Sequence, residues 1–164
     1  GRPHVRVENR VLPSGPTVVD ILANAAFYYG LVRMLADEDR PIWSQMSFSA
    51  AEENFHAGAR DGIAARVYWP GVGEVPAAEL VLRRLLPLAH EGLDRWGVAA
   101  ADRDRLLGII ERRCVEGRNG ASWQADTFHR FYENLDRADA LRAMTCGYRE
   151  HMHSNEPVHT WPTG

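Results

Sequence analysis

A chain of 164 residues, 45% hydrophobic and 25% charged, fits one folded domain of ordinary globular composition. Its formal net charge of -3 gives no sign of a nucleic-acid partner. All 19 basic residues are Arg, so any phosphate contact from a basic side chain falls to a planar guanidinium fork.

The chain opens on an expected strand over residues 4–12. Side chains alternate across a strand. Val5, Val7, Asn9 and Val11 therefore share one face, and Arg6, Glu8, Arg10 and Leu12 the other. A lone strand has no partner for its ladder hydrogen bonds. Together with the start at "GRPHVRVENR", this leads us to expect the C-terminal portion of a longer protein, whose upstream strands pair with residues 4–12.

"PSGPT" breaks the strand, and Pro16 and Thr17 suit a helix entry with Asp20 in the first turn. The spacing predicts a helix over 17–37 with few polar residues, so much of it is expected to be buried. Asn24 stands out in its middle, and Ala23, Ala25, Ala26 and Gly30 allow close backbone approach. "DRPIW" is a break. Ser49, with Glu52 three residues on, reads as a capping box for a helix ending near Gly62. "IAARVYWPGVGEVP" reads as a short extended segment with a Gly/Pro turn. Helices are expected over 76–96 with a kink at Pro87, over 99–117, over 119–135 and over 136–155. The expected class is α+β, one short strand and about six helices, with residues 1–164 forming one part of a domain.

Cys114 and Cys146 have neither disulfide-framework nor zinc spacing and read as reduced thiols of a cytoplasmic protein. No signal peptide is visible, and no apolar run is expected to span a membrane.

Four motifs carry possible chemistry. Arg6-x-Glu8-x-Arg10 is either a solvated edge strand or one wall of a site. In the second case Glu8 holds a divalent cation and Arg10 a phosphate oxygen. His151, His153, Glu156 and His159 cluster in "HMHSNEPVHTW", but His-x-His lacks the spacing of a helical two-His metal site, which favours packing or hydrogen bonding. Asn54, His56 and Arg60 in "ENFHAGARDG" read as an amphipathic helix face. "GRNGASWQ" reads as helix punctuation and is weak as a phosphate loop.

"RVENRVLPSGPTVVDILANAAFYYGLVRML" resembles the last catalytic strand and following helix of the glutamate–cysteine ligase family, in its bacterial carboxylate–amine ligase type. That family shares its catalytic architecture with glutamine synthetase. "AEENFHAGARDGI" and "GRNGASWQ" resemble later blocks of the same family in the same order. The resemblance implies a glutamine synthetase-like domain and an ATP-dependent ligase that joins a glutamate-type carboxylate to an amine such as cysteine through an acyl phosphate, with Mg²⁺ at the phosphates. It implies Glu8 as a metal-binding carboxylate and Arg10 as a catalytic, phosphate-contacting Arg. The family's N-terminal strands have no counterpart here, so the chain is expected to be inactive alone. Trp123 stands where relatives commonly carry an Arg. The alternative is a non-enzymatic helical protein-interaction module.

Overall fold

A computed structural model describes residue 3 and residues 15–163. The expected strand over 4–12, with Arg6, Glu8 and Arg10, lies outside the described residues. The described chain is α+β and mainly helical, with six helical rods and one small antiparallel sheet.

α1 spans Val18–Ala36. Thr17 caps it from an extended backbone. Its hydroxyl oxygen accepts the Asp20 N–H at 3.2 Å and its hydroxyl donates to Asp20 Oδ2 at 2.9 Å. The first turn is thus closed by two side chains that answer each other. α2 spans Phe48–Asp61. Its cap is Ser47, whose Oγ accepts the Ala50 N–H, and not Ser49 as expected. Ser47 is the last extended residue before the turn closes, so Ser49 and Glu52 already lie inside the helix.

The expected extended segment is a hairpin of β1 (Arg66–Trp69) and β2 (Gly73–Pro76), with Val67 opposite Val75. Gly71 and Gly73 take positive φ in its turn. Asn54 on α2 serves the open edge of β1: its side chain accepts the Tyr68 N–H at 2.7 Å and donates to the Tyr68 carbonyl at 2.8 Å. That clamp explains the Asn of "ENFHAGARDG" as a brace, since a bare edge strand leaves backbone groups unpaired.

α3 (Ala77–Leu80), a π turn (Val81–Leu85) and α4 (Leu86–Arg95) run on as one rod. Pro87 was expected to kink this rod. Proline has no N–H to give the carbonyl four residues back, and its ring crowds that carbonyl. The wide π turn ahead of it makes the room. α5 (Ala100–Glu116) ends at Gly117 in the left-handed conformation, a favoured helix stop. α6 (Gly120–Tyr132) is capped by Asn119 in a reciprocal box with Ser122. α7 (Arg137–Ser154) is capped by Asp136 and stops at Asn155, itself left-handed at φ 57°. A 3₁₀ turn, Val158–Thr160, follows.

Two cores result. In the first, Val19 and Ala23 of α1 meet Leu86, Ala89 and Leu93 of α4 and Leu107, Ile109 and Ile110 of α5. Here α1 and α4 cross at Gly30 and Gly92, where a Cβ on either residue would run into the backbone of the opposite helix. In the second, Trp123 of α6 packs with Val158 and Trp161 of the tail, backed by Met144 and Tyr148 of α7.

Contrary to the sequence expectation, α1 is long and apolar enough to cross a membrane by length and composition alone. Asp20 and Arg33 only nick its apolar run. In the fold one face of α1 is core. Val18, Ile21, Leu22, Tyr29 and Val32 on the rest of its surface stand exposed.

Candidate functional site

The site is built around the entry to α1. Asp20 is fully buried one turn into the helix. Burying a carboxylate costs several kcal/mol unless it is paired and hydrogen-bonded. Asp20 is both. Its oxygens accept from Arg113 at 2.5 Å, from the Thr17 hydroxyl and from the Val158 N–H at 3.2 Å. Arg113, near the C-terminus of α5, is itself almost buried and donates a second bond to Asn24 Oδ1 at 2.7 Å. That bond accounts for the polar residue in the middle of α1. Asp20 therefore ties three remote pieces together: the start of α1, the end of α5 and the tail.

A cleft of about 480 Å³ opens beside this network. Gly15, Pro16, Asn24, Arg113, Asn119 and Gln124 line it, with Tyr148 at one wall. Pro16 lies directly on Gly120, where a Cβ would come within 2.8 Å of the Pro16 ring. Gly62, at the end of α2, approaches the Asn119 side chain. The entries to α1 and α6 therefore meet at Pro16 and Gly120, although about 100 residues separate them, and Gly62 faces the Asn119 side chain.

The cleft's polar groups are a shielded guanidinium and side-chain amides. Arg113 Nε is buried and has no acceptor among the described residues. Gln124 donates back to the Gly120 carbonyl at 3.1 Å. Burial, reinforced by the charge on Asp20, pushes the Tyr148 hydroxyl above its ordinary pKa, so it is a neutral donor or acceptor. Among the described residues no three His, Cys, Asp or Glu side chains gather as a metal site. Asp20, the one acid at the heart of the network, is spent on Arg113. The described residues therefore do not fit Mg²⁺, and Glu8 lies outside them.

Of the tail histidines, His151 packs in the aromatic group. His151 stacks on Trp161 with ring centroids 5.1 Å apart and meets Trp123 edge-on. His153 sits in the last turn of α7. His159 is held below its ordinary pKa, first by burial and then by Arg113, while Glu116 opposes the shift. Glu156 contributes its carbonyl, which accepts from the Trp161 indole N–H at 2.8 Å. Trp123 is part of the same aromatic group, and its indole N–H donates to the Pro162 carbonyl. A buried Trp in that place holds the tail, which is why the position does not present a charged side chain.

His56 and Arg60 remain on the α2 surface, Arg60 in an exposed pair with Asp61. Both cysteines are free thiols, and burial raises the pKa of Cys114. Sequence reasoning missed Arg113 and Asn155. Thr-x-x-Asp at the helix entry was a readable cap signal for Asp20. Nothing local distinguishes Arg113 from Arg112. Comparisons with protein-family models, curated proteins and solved structures return no match for this chain.

Proposed function

We propose that this chain is the C-terminal part of an ATP-dependent carboxylate–amine ligase of the glutamate–cysteine ligase type, with a glutamine synthetase-like catalytic domain. The single observation that carries the reading is the contact of Pro16 with Gly120, beside Asn119, at one cleft, with Gly62 facing the Asn119 side chain. Blocks that resemble one family in order and spacing gain weight when they also meet in space. In this reading Arg10 contacts the transferring phosphoryl group, and Glu8 is a metal ligand whose companions come from upstream strands. The γ-phosphoryl of ATP passes to a carboxylate oxygen of glutamate and ADP leaves. The amine nitrogen then attacks the acyl carbon, phosphate leaves, and the nitrogen loses a proton to give the amide. Arg serves such a step by offsetting charge as it develops on the phosphoryl oxygens. Glutamate, an amine such as cysteine, ATP and Mg²⁺ are the ligands proposed, in a cytoplasmic setting.

The reading also supplies a cover for the exposed apolar residues of α1. In this reading the sheet that holds residues 4–12 would cover them, since a helix that follows its strand through a short link packs on a face of that sheet. The test is ATP turnover by the full-length parent with glutamate and a panel of amines. Glu8→Gln and Arg10→Ala should each lower turnover about 100-fold with the fold intact. Wild-type rates in both would sink the assignment.

The same exposed apolar residues favour one alternative, a helical interaction module whose partner covers them. Slow amide exchange throughout residues 4–12 of the isolated chain would favour that module.

A further inference from the structure

Among the described α-helices only α2 has no buried residue. Its inner face lies on the hairpin, where Asn54 holds Tyr68 and Ala57 is half-buried. Its outer face carries Phe48, Ala51, Phe55 and Ala59, all exposed. These positions follow one another at spacings of three and four residues, so they form a single stripe. Phe48 is 84% exposed and Phe55 58%. A lone apolar side chain in water is ordinary, but two Phe rings in line with two Ala side chains on one helix face form a contiguous patch. The stripe is bulky at its start and small at its end. Charge along its flank is also uneven: Glu52 and Glu53 lie in the first half of α2, and His56 and Arg60 in the second. Arg60 pairs only with its neighbour Asp61 among the described residues, and its side chain is 71% exposed.

We infer that the outer face of α2 is a docking surface for a second copy of this chain, with the two α2 helices antiparallel about a two-fold axis near Phe55. A two-fold contact uses the same patch on both subunits, so the patch must complement itself when reversed. The α2 stripe does so in shape. With Phe55 set against the partner's Phe55, Ala51 faces the partner's Ala59, and the Phe48 ring lies over the partner's Gly62, beside the partner's Ala59. It does so in charge as well. Reversal brings Glu52 alongside the partner's His56 and the partner's Arg60, on the same flank of the pair. A parallel pair would instead set Glu52 against the partner's Glu52 and Arg60 against the partner's Arg60. Complementary charge of this kind fixes register more than it adds affinity. One helix pair is small for a specific interface, so the dimer is reversible, with a Kd on the order of 100 µM. This surface is independent of the ligase reading, and the α1 entry and its cleft take no part in it.

The test is sedimentation equilibrium of this 164-residue chain over a range of concentrations, with Cys114 and Cys146 kept reduced. The wild-type chain should pass from monomer to dimer. Phe55→Glu puts a charge at the centre of the stripe on both copies and should raise Kd at least about 30-fold. Glu52→Arg and Arg60→Glu each turn two attractive pairs into two repulsive ones, and each should raise Kd about tenfold at low salt. The double variant Glu52→Arg with Arg60→Glu restores unlike charges across the interface and should return Kd to within about twofold of wild type. All three side chains are exposed, so the variants should keep the wild-type thermal midpoint. Should Phe55→Glu fail to fold, the charge variants still decide the matter. A wild-type chain that stays monomeric well above the expected Kd would overturn the proposal. A dimer that Phe55→Glu leaves intact would place the interface elsewhere and overturn it too. A double variant no tighter than the two single ones would overturn the antiparallel pairing.

Discussion

The two cores of this protein are built by different means. The α1–α4–α5 core is aliphatic and dense. Its helices approach until Gly30 and Gly92 touch backbone to backbone, and dispersion over many atom pairs holds them. The Trp123–Val158–Trp161 core is small and aromatic, and its packing is pinned by hydrogen bonds from both indoles to tail carbonyls. One holds rods together; the other holds a tail. Asp20 and Arg113 join them, so the junction should matter more than either core alone.

Asp20→Ala breaks that junction and should have the largest effect. It leaves Arg113 buried without its counter-charge, at a cost of about 3–5 kcal/mol in denaturant unfolding. Asp20→Asn with Arg113→Met should recover part of that loss, because an unpaired buried charge is removed. If the double variant were no more stable than Asp20→Ala, the ion pair would not be what joins the cores. Trp161→Ala should cost about 3 kcal/mol, at the low end for a buried Trp because the tail can relax around the gap. Its amide exchange should rise at the α1 entry and in the last turn of α7, with Ile110 unmoved. Equal loosening at Ile110 would mean the two cores are one cooperative unit. Gly92→Ala forces α4 away from α1 and should cost about 2 kcal/mol in thermal unfolding, with the aromatic core intact.

The smallest expected effect is a pH dependence confined to the tail. His159 has a lowered pKa in the folded chain, with the unfolded value near 6.5. The unfolded state then takes up the proton first as pH falls. Stability should decline below about pH 6.5 and level off below the folded pKa. His159→Gln should flatten the profile in that window, as read from unfolding midpoints at several pH values. An unchanged slope would locate the titration elsewhere.

Much of the fold was legible in the sequence. Apolar spacing together with cap, proline and glycine signals placed the six rods, and Gly62, Gly97 and Gly117 marked ends that the structure keeps, each at positive φ. The small residues of α1 announced a close crossing, and Gly30 makes it. Less legible was whatever depends on two nearly equal local choices. Ser47 and Ser49 both suit a cap, and only the geometry of the turn selects the first. Pro87 disrupts the regular helix pattern, and a π turn precedes it in the structure. Of the candidate site, the blocks around Pro16 and Gly120 could be quoted from sequence, but nothing local said that they touch.

The sequence by itself determined where the rods lie, because periodicity, caps and glycine stops act within a few residues of one another. It also determined that the tail histidines lack helical metal spacing. Tertiary structure alone decided that Asp20 is a buried hub, that Arg113 and not Arg112 pairs with it, and that Asn155 caps a helix 136 positions away. Those contacts join remote residues, and their energy exists only once packing has removed water from both partners.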